Sequence, residues 1–139
     1  MKRSEELAPL SRDHHQGLFA ALKLRRTTED ARQVFLDFWA EDRRHFAVEE
    51  DVLLPALARH VPADHEAIVR VLVEHVDIRR RARELEADDA PAPEALRELG
   101  DRLHAHIRYE EDVLFPLVEE TLPRDELAAL GTELTSRSV

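Results

Sequence analysis

Hydrophobic residues recur along this chain at the three- and four-residue spacing that is typical of amphipathic helices. The pattern predicts four long helices joined by short connections, at about residues 9–26, 29–60, 61–87 and 93–121. A short amphipathic helix is expected after Leu122. The predicted fold class is therefore all-α, and the short connections favour an antiparallel up-down four-helix bundle with a short C-terminal helix.

Each long predicted helix has one apolar face, and two of these faces carry polar residues near their centre. At 100° per residue, His45 and Glu49 fall mid-face on the second helix, and His106 and Glu110 fall mid-face on the fourth. The apolar face expected on the first helix consists of Leu7, Leu10, Leu18 and Leu22. The face expected on the third helix consists of Ile68, Leu72, His75 and Ala82.

The polar residues belong to a sequence repeat. Residues 45–57, HFAVEEDVLLPAL, return 61 residues later at 106–118 as HIRYEEDVLFPLV. A further histidine lies 30 or 31 residues upstream of each copy, at His15 and His75. Histidine and glutamate four residues apart share one helix surface. The repeat predicts two helical hairpins, each contributing two imidazoles and a carboxylate to one dinuclear metal site.

A metal-free interpretation of the same residues is the alternative to the metal site. A single inward histidine is more often a hydrogen-bonded core residue than a ligand, and a metal-free polar core is the alternative. Six such groups change the balance, because each unpartnered buried polar side chain costs about 1–3 kcal/mol and a pair of ions would satisfy all six. Four protein ligands per ion would leave positions open for an oxo or hydroxo bridge and for a small molecule.

Composition limits the metal ligands and the partners that this chain can have. The chain has 139 residues, as expected of one domain over 1–139, and without cysteine only nitrogen and oxygen ligands are available. Thirty acidic residues against twenty basic ones give a formal charge of −10, which disfavours nucleic acid and anionic lipid as partners. No apolar run reaches the length of a signal peptide core or a membrane span, and a cytoplasmic protein is expected.

At these residues the sequence resembles the hemerythrin-like, HHE cation-binding family. The resemblance rests on HHQGLF, HFAVEEDVLLP, EHVDIR and HIRYEEDVLFP, and it covers nearly the whole chain. It implies a non-haem di-iron centre, with the ligands His15, His45, Glu49, His75, His106 and Glu110, the two glutamates bridging. His15 is preferred because an apolar residue follows at the third position, as at His75; by helical angle His14 is nearly as good. Glu111 is the alternative to Glu110.

The sequence departs from the oxygen-carrying members of the family at two positions. Val71 stands where they have a fifth histidine, and Glu110 follows its histidine by four residues where they have an aspartate at five. Both changes make the predicted site more symmetric and less like a simple oxygen carrier.

The resemblance implies binding of dioxygen, nitric oxide or peroxide, for sensing, storage or scavenging. A peroxidase or oxidase that uses the same centre, and a metal-free helical interaction module, are the alternatives. Ligand type suits two iron ions, and manganese or zinc is possible.

Overall fold

The computed structural model of the protein describes residues 3–137, and within that range the chain forms helices and no strand. Five helices follow one another, labelled α1 to α5. Helices α1, α3 and α5 span Ala8–Arg25, Glu66–Glu86 and Arg124–Arg137. Helix α2 comprises the consecutive stretches Ala31–Val48, Glu49–Leu53 and Leu54–Leu57. Helix α4 comprises Pro93–Tyr109, Glu110–Leu114 and Phe115–Thr121.

The all-helical prediction is confirmed, with small differences at the helix ends. Helix α4 has the predicted bounds, whereas α3 begins at Glu66 rather than at residue 61. The reason is local: His65 lies just before the helix in an extended conformation, and its Nδ1 accepts a hydrogen bond from the backbone N–H of Ala67. A side chain that satisfies an unpaired N–H in this way fixes the start of a helix.

A π-helical turn interrupts α2 and α4 at the same point of the repeat, in the two EEDVL segments Glu49–Leu53 and Glu110–Leu114. The backbone N–H of Leu54 donates to the carbonyl of Glu49, and that of Phe115 donates to the carbonyl of Glu110. A proline follows each donor, at Pro55 and Pro116. Because proline has no N–H to continue the α-helical ladder, the wider hydrogen-bond pattern appears where the prolines predict a kink.

Two apolar clusters form the core, and the buried polar residues lie between them. The first cluster contains Leu10, Val52, Val71 and Leu114, and the second contains Ala20, Phe46, Ile78 and Ile107. On each of the four longer helices, every buried polar residue falls between a member of one apolar cluster and a member of the other. The polar residues therefore form a layer inside the protein rather than a patch at one end.

Small residues allow α1 and α4 to pack closely. A Cβ added at Gly17 of α1 would lie 2.6 Å from Cδ1 of Ile107, and one added at Gly100 of α4 would lie 2.9 Å from the carbonyl oxygen of Ala21. The buried face of α1 therefore includes three small residues, Gly17, Ala20 and Ala21. The face predicted from leucines is partly wrong: Leu22 is 42% exposed, because Gly17, Ala20 and Ala21 occupy the interface instead.

Candidate metal centre

Six ionisable side chains are buried together in the polar layer, and they define the six-group cluster. Its members are His14, His45, Glu49, His75, His106 and Glu110, all at most 6% exposed. One histidine comes from each of the four longer helices, and the two glutamates come from the π-helical turns of α2 and α4. The cluster is thus assembled from equivalent parts of the two repeats.

The first ligand group joins the imidazoles of α1 and α2 to both glutamates. Nε2 of His14 lies 2.9 Å from Oε1 of Glu110, and Nε2 of His45 lies 2.8 Å from Oε2 of Glu49. His45 also approaches Oε1 of Glu110, at 3.8 Å. One potential ligand atom from each of these four residues lies within 4.8 Å of the others, a spacing that can accommodate a metal ion.

The second ligand group repeats this arrangement with the imidazoles of α3 and α4. Nε2 of His75 lies 3.0 Å from Oε1 of Glu49, and Nε2 of His106 lies 3.0 Å from Oε2 of Glu110. Each glutamate therefore directs one carboxylate oxygen towards each group. A carboxylate shared in this way can bridge two ions, while each helical hairpin supplies both imidazoles of one group.

The second ligand group also contains buried polar atoms without a hydrogen-bond partner. These atoms are Oε1 of Glu49, Nε2 of His75, Nε2 of His106 and Oε2 of Glu110. They lie close together, yet their directions do not suit hydrogen bonds with one another. Because a buried polar atom without a partner is costly, four of them at one point are better satisfied by a bound cation. Nitrogen and carboxylate oxygen donors fit iron, manganese or zinc.

A second carboxylate holds the outer nitrogen of every imidazole. These outer carboxylates are Asp13, Glu50, Glu74 and Glu111. Glu111 lies 2.6 Å from Nδ1 of His14, and Glu50 lies 2.7 Å from Nδ1 of His75. A carboxylate on the outer nitrogen orients the ring and leaves Nε2 as the atom directed towards a metal.

Three of the outer carboxylates are paired in turn with arginines. Arg3 binds Glu111, Arg70 binds Glu74, and Arg79 binds Glu50. Ring stacking adds a second constraint: Phe46 stacks on His75 with ring centroids 3.8 Å apart, and Phe115 stacks on His14 at 5.4 Å. The imidazoles of His14 and His75 are therefore held in tilt as well as in position.

One expected ligand lies elsewhere. The structure places His15 on the exposed side of α1 and brings His14 into the six-group cluster. The preference for His15 relied on the apolar residue three positions after it, Leu18, which matches the spacing at His75, whereas the buried face of α1 runs through Leu10, His14 and Gly17. The other five residues predicted from the sequence lie in the cluster, and Glu110, rather than Glu111, is its member.

The sequence contained a signal for His14 that the apolar pattern obscured. His14 precedes His75 by the same 61 residues that separate His45 from His106, whereas His15 is one residue out of register. Asp13 and Glu74 keep this offset, as do Glu50 and Glu111. An exact repeat offset therefore identifies both the inner histidine and the outer carboxylates.

The carboxylates strongly favour protonated imidazoles when no metal is bound. Burial lowers the pKa of His14, but hydrogen bonds to Glu110 and Glu111 outweigh it and raise the pKa from 6.5 to about 9. The same balance of burial against neighbouring carboxylates raises the pKa of His75 to about 9 and that of His106 to about 10. The pKa of His45 is also raised well above 6.5. Conversely, although burial acts in the opposite direction, His106 and its neighbours lower the pKa of Glu110 well below 4.5.

A cavity of about 590 Å³ reaches the six-group cluster beside His45. Its walls come from α1, α2 and α5, and its lining includes Asp13, Phe38, Asp42 and Leu134. Oδ1 of Asp42 lies 3.9 Å from Nδ1 of His45, and burial raises the pKa of this aspartate to about 6. The cavity provides a solvent route to the outer side of the first ligand group.

The family model described as "Hemerythrin HHE cation binding domain" matches residues 8–126, a range that includes all six members of the cluster. No curated protein and no solved structure matches the chain. Among the helices of residues 3–137, none combines the length and the apolar character that crossing a membrane requires.

Proposed function

Because the chain belongs to the hemerythrin HHE cation binding domain family, we propose that the six-group cluster binds two iron ions and that this di-iron centre binds a small molecule. Dioxygen, nitric oxide and peroxide are the candidates, bound for sensing, storage or scavenging. His14 and His45 would hold one ion, and His75 and His106 would hold the other. Glu49 and Glu110 would bridge the pair.

One observation carries the proposal: four imidazole Nε2 atoms and two shared carboxylates converge at two adjacent ligand groups, with four unpartnered atoms in the second. A purely structural polar core would pair its buried atoms with one another. In this protein each imidazole already uses Nδ1 for an outer carboxylate, so Nε2 is reserved for the interior of the cluster. Such reservation of one nitrogen is typical of metal-binding histidines.

The residues of this chain would set the properties of the centre. Bound iron would supply redox activity and coordination positions for the small molecule. The outer carboxylates would keep a proton on Nδ1, so that Nε2 presents its lone pair to the metal. Phe46, Phe115 and the two apolar clusters would exclude bulk water and strengthen the electrostatic interactions within the layer.

Anaerobic titration with ferrous iron tests the proposal. We expect about two iron ions per chain, and exposure to oxygen should produce a charge-transfer absorbance. His15→Ala is the matched control, since this neighbouring histidine is exposed and should leave the stoichiometry at two. A stoichiometry near zero for the unsubstituted protein would end the proposal.

The cavity beside His45 favours a second candidate function, an enzyme that turns over peroxide at the same centre. Its volume of about 590 Å³ exceeds what a diatomic ligand needs, and its lining joins Phe38 and Leu134 to acidic groups. Peroxide turnover by the iron-loaded protein separates the two functions. Equal rates for the unsubstituted protein and a His45→Ala variant would discard the enzyme.

The proposal includes a fold arrangement: one domain in which α1 to α4 alternate in direction as an antiparallel up-down bundle covered by α5. The order of the core clusters supports it. Along α1 and α3 the chain passes from the first cluster to the second, and along α2 and α4 it passes from the second to the first. Contacts between α1 and α2, α2 and α3, α3 and α4, and α4 and α1 complete a ring.

A further inference from the structure

An apolar stripe runs along the outer surface of α3, opposite the face that carries His75. It consists of Val69, Leu72, Val73 and Val76, which are 43%, 40%, 61% and 66% exposed. Their spacing places all four side chains on one side of the helix. Within residues 3–137 no other helix covers this stripe, since each of its members remains substantially open to solvent.

The composition of the stripe is unusual for a solvated helix surface. Three of its four members are valines, whose branched side chains lose rotamer freedom in a helix and favour it less than alanine, glutamate or lysine do. Single exposed apolar residues are common, but a contiguous row of them on one helix marks an interaction surface. These positions are therefore better explained by burial in an assembly than by the fold of one chain.

The charges at the two ends of the stripe indicate which partner fits it. Glu66 lies about one turn before Val69, and Arg80 lies about one turn after Val76; both are exposed. The stripe thus has an acidic residue at one end, apolar residues in the middle and, at the other end, an arginine that also pairs with Asp77 and Glu84 of its own helix. A surface with this order is complementary to itself when one copy is reversed.

We propose that the stripe is the contact between two copies of this chain, with α3 packed antiparallel against α3 of the second copy. A two-fold axis near Leu72 and Val73 would bring Val69 of one copy to Val76 of the other. It would also bring each Glu66 near Arg80 of the opposite copy, and such reciprocal pairing is the property of a two-fold contact. In a parallel pair, Glu66 would face Glu66 and Arg80 would face Arg80, which like charges oppose.

A membrane surface suits the stripe less well. The chain carries a formal charge of −10, which anionic lipid would repel, and amphipathic helices that lie on membranes have strongly basic polar faces. The α3 surface is instead mixed, since Arg70 is paired with Glu74, and Arg80 with Glu84. The charges therefore favour a protein partner whose surface carries both acidic and basic residues, and a second copy of this chain has such a surface.

Sedimentation velocity tests the apolar part of the proposal, over roughly 1 μM to 1 mM of the metal-loaded protein. The unsubstituted chain should form a dimer in this range. A Val73→Glu/Val76→Glu variant should remain monomeric while keeping the helical circular dichroism and metal content of the parent. Leu22→Glu is the matched control, because Leu22 is an apolar residue of α1 with similar exposure, 42%, and this variant should dimerise normally.

Charge reversal tests the antiparallel geometry. Glu66→Arg and Arg80→Glu, each alone, should weaken self-association by about tenfold, because each homodimer would then place like charges together twice. An equimolar mixture of the two variants should dimerise as the parent does, since both heterodimer pairs regain opposite charge. Arg70 and Arg79 stay unchanged in this design because they hold outer carboxylates of the metal centre.

Three results would each overturn the proposal. The first is an unsubstituted protein that stays monomeric up to the highest concentration, which would assign the stripe to a different partner or to none. The second is a Val73→Glu/Val76→Glu variant that dimerises as tightly as Leu22→Glu. The third is a pair of charge-reversal variants that associate no more tightly when mixed than when separate.

Discussion

Metal loading should release about four protons per chain at pH 7. In the protein without metal, the pKa values of His14 and His75 are about 9 and that of His106 is about 10. The pKa of His45 is also raised well above its ordinary value. All four imidazoles are therefore protonated at pH 7, whereas an imidazole that binds a metal through Nε2 must lose the proton on that atom.

The charge of the six-group cluster explains why the exchange is possible. Four imidazolium groups and the two carboxylates of Glu49 and Glu110 carry a net charge of about +2. Two divalent ions with four neutral imidazoles and the same carboxylates also carry about +2. Protons thus substitute for the ions in electrostatic terms, and the outer carboxylates experience the same interior charge in both forms.

Proton release makes metal affinity steeply dependent on pH. Each displaced proton changes the binding free energy by about 1.4 kcal/mol per pH unit, so four protons change it by about 5.5 kcal/mol per pH unit for the pair of ions. This dependence should hold from about pH 7 until the histidines begin to deprotonate near pH 9.

Calorimetric titration with manganese, in two buffers of different ionisation enthalpy at pH 7, measures the number of protons released. We expect about four for the unsubstituted protein and for His15→Ala, and about two for His14→Ala, in which only the ion held by His75 and His106 would displace protons. Release of fewer than one proton would refute the reasoning, because it would mean that the imidazoles are neutral before the metal binds.

Further predictions concern affinity and stability. His14→Ala should lower the metal stoichiometry from two towards one by elemental analysis, while His15→Ala should keep it at two. Glu111→Gln should weaken metal binding about 10- to 100-fold in a competition titration, because it removes the charge that orients His14. The increase in melting temperature on metal loading should become larger from pH 6.5 to 9. The stability that the raised histidine pKa values give the metal-free protein is complete below pH 6.5 and is lost as pH rises through 9 to 10, whereas metal binding strengthens. An increase that becomes smaller over this range would contradict the prediction. Gly100→Ala should lower the free energy of unfolding in urea by about 1–3 kcal/mol, since its Cβ would lie 2.9 Å from the backbone oxygen of Ala21; an unchanged value would show that α1 can move away.

The sequence predicted those parts of the structure that follow from periodicity. Five helices and four of the six cluster residues could be read from apolar spacing and from the duplicated His-x-x-x-Glu segment. His75 followed from its place upstream of the second copy. These predictions succeeded because helical spacing places residues four apart on one surface whatever the neighbouring helices are.

Other features depend on contacts that a periodic pattern does not encode. The buried face of α1 includes Gly17, Ala20 and Ala21 because α4 approaches closely. Hydrophobicity alone instead favoured Leu18 and Leu22 as buried residues. The apolar Leu18 in turn favoured His15 as the ligand. Leu72 was expected to be buried because it is hydrophobic, yet it is 40% exposed on α3. The π-helical turns arise from a hydrogen-bond shift ahead of each proline, which sequence spacing at 100° per residue does not anticipate.

Anomalous diffraction at the iron absorption edge, from crystals of the iron-loaded protein, tests most directly whether the six side chains hold two ions. We expect two peaks inside the protein, one beside Nε2 of His14 and His45 and the other beside Nε2 of His75 and His106, both in contact with the carboxylates of Glu49 and Glu110. A single peak, peaks at surface carboxylates, or an iron-loaded protein with no peak in the polar layer would contradict a dinuclear centre in this family member.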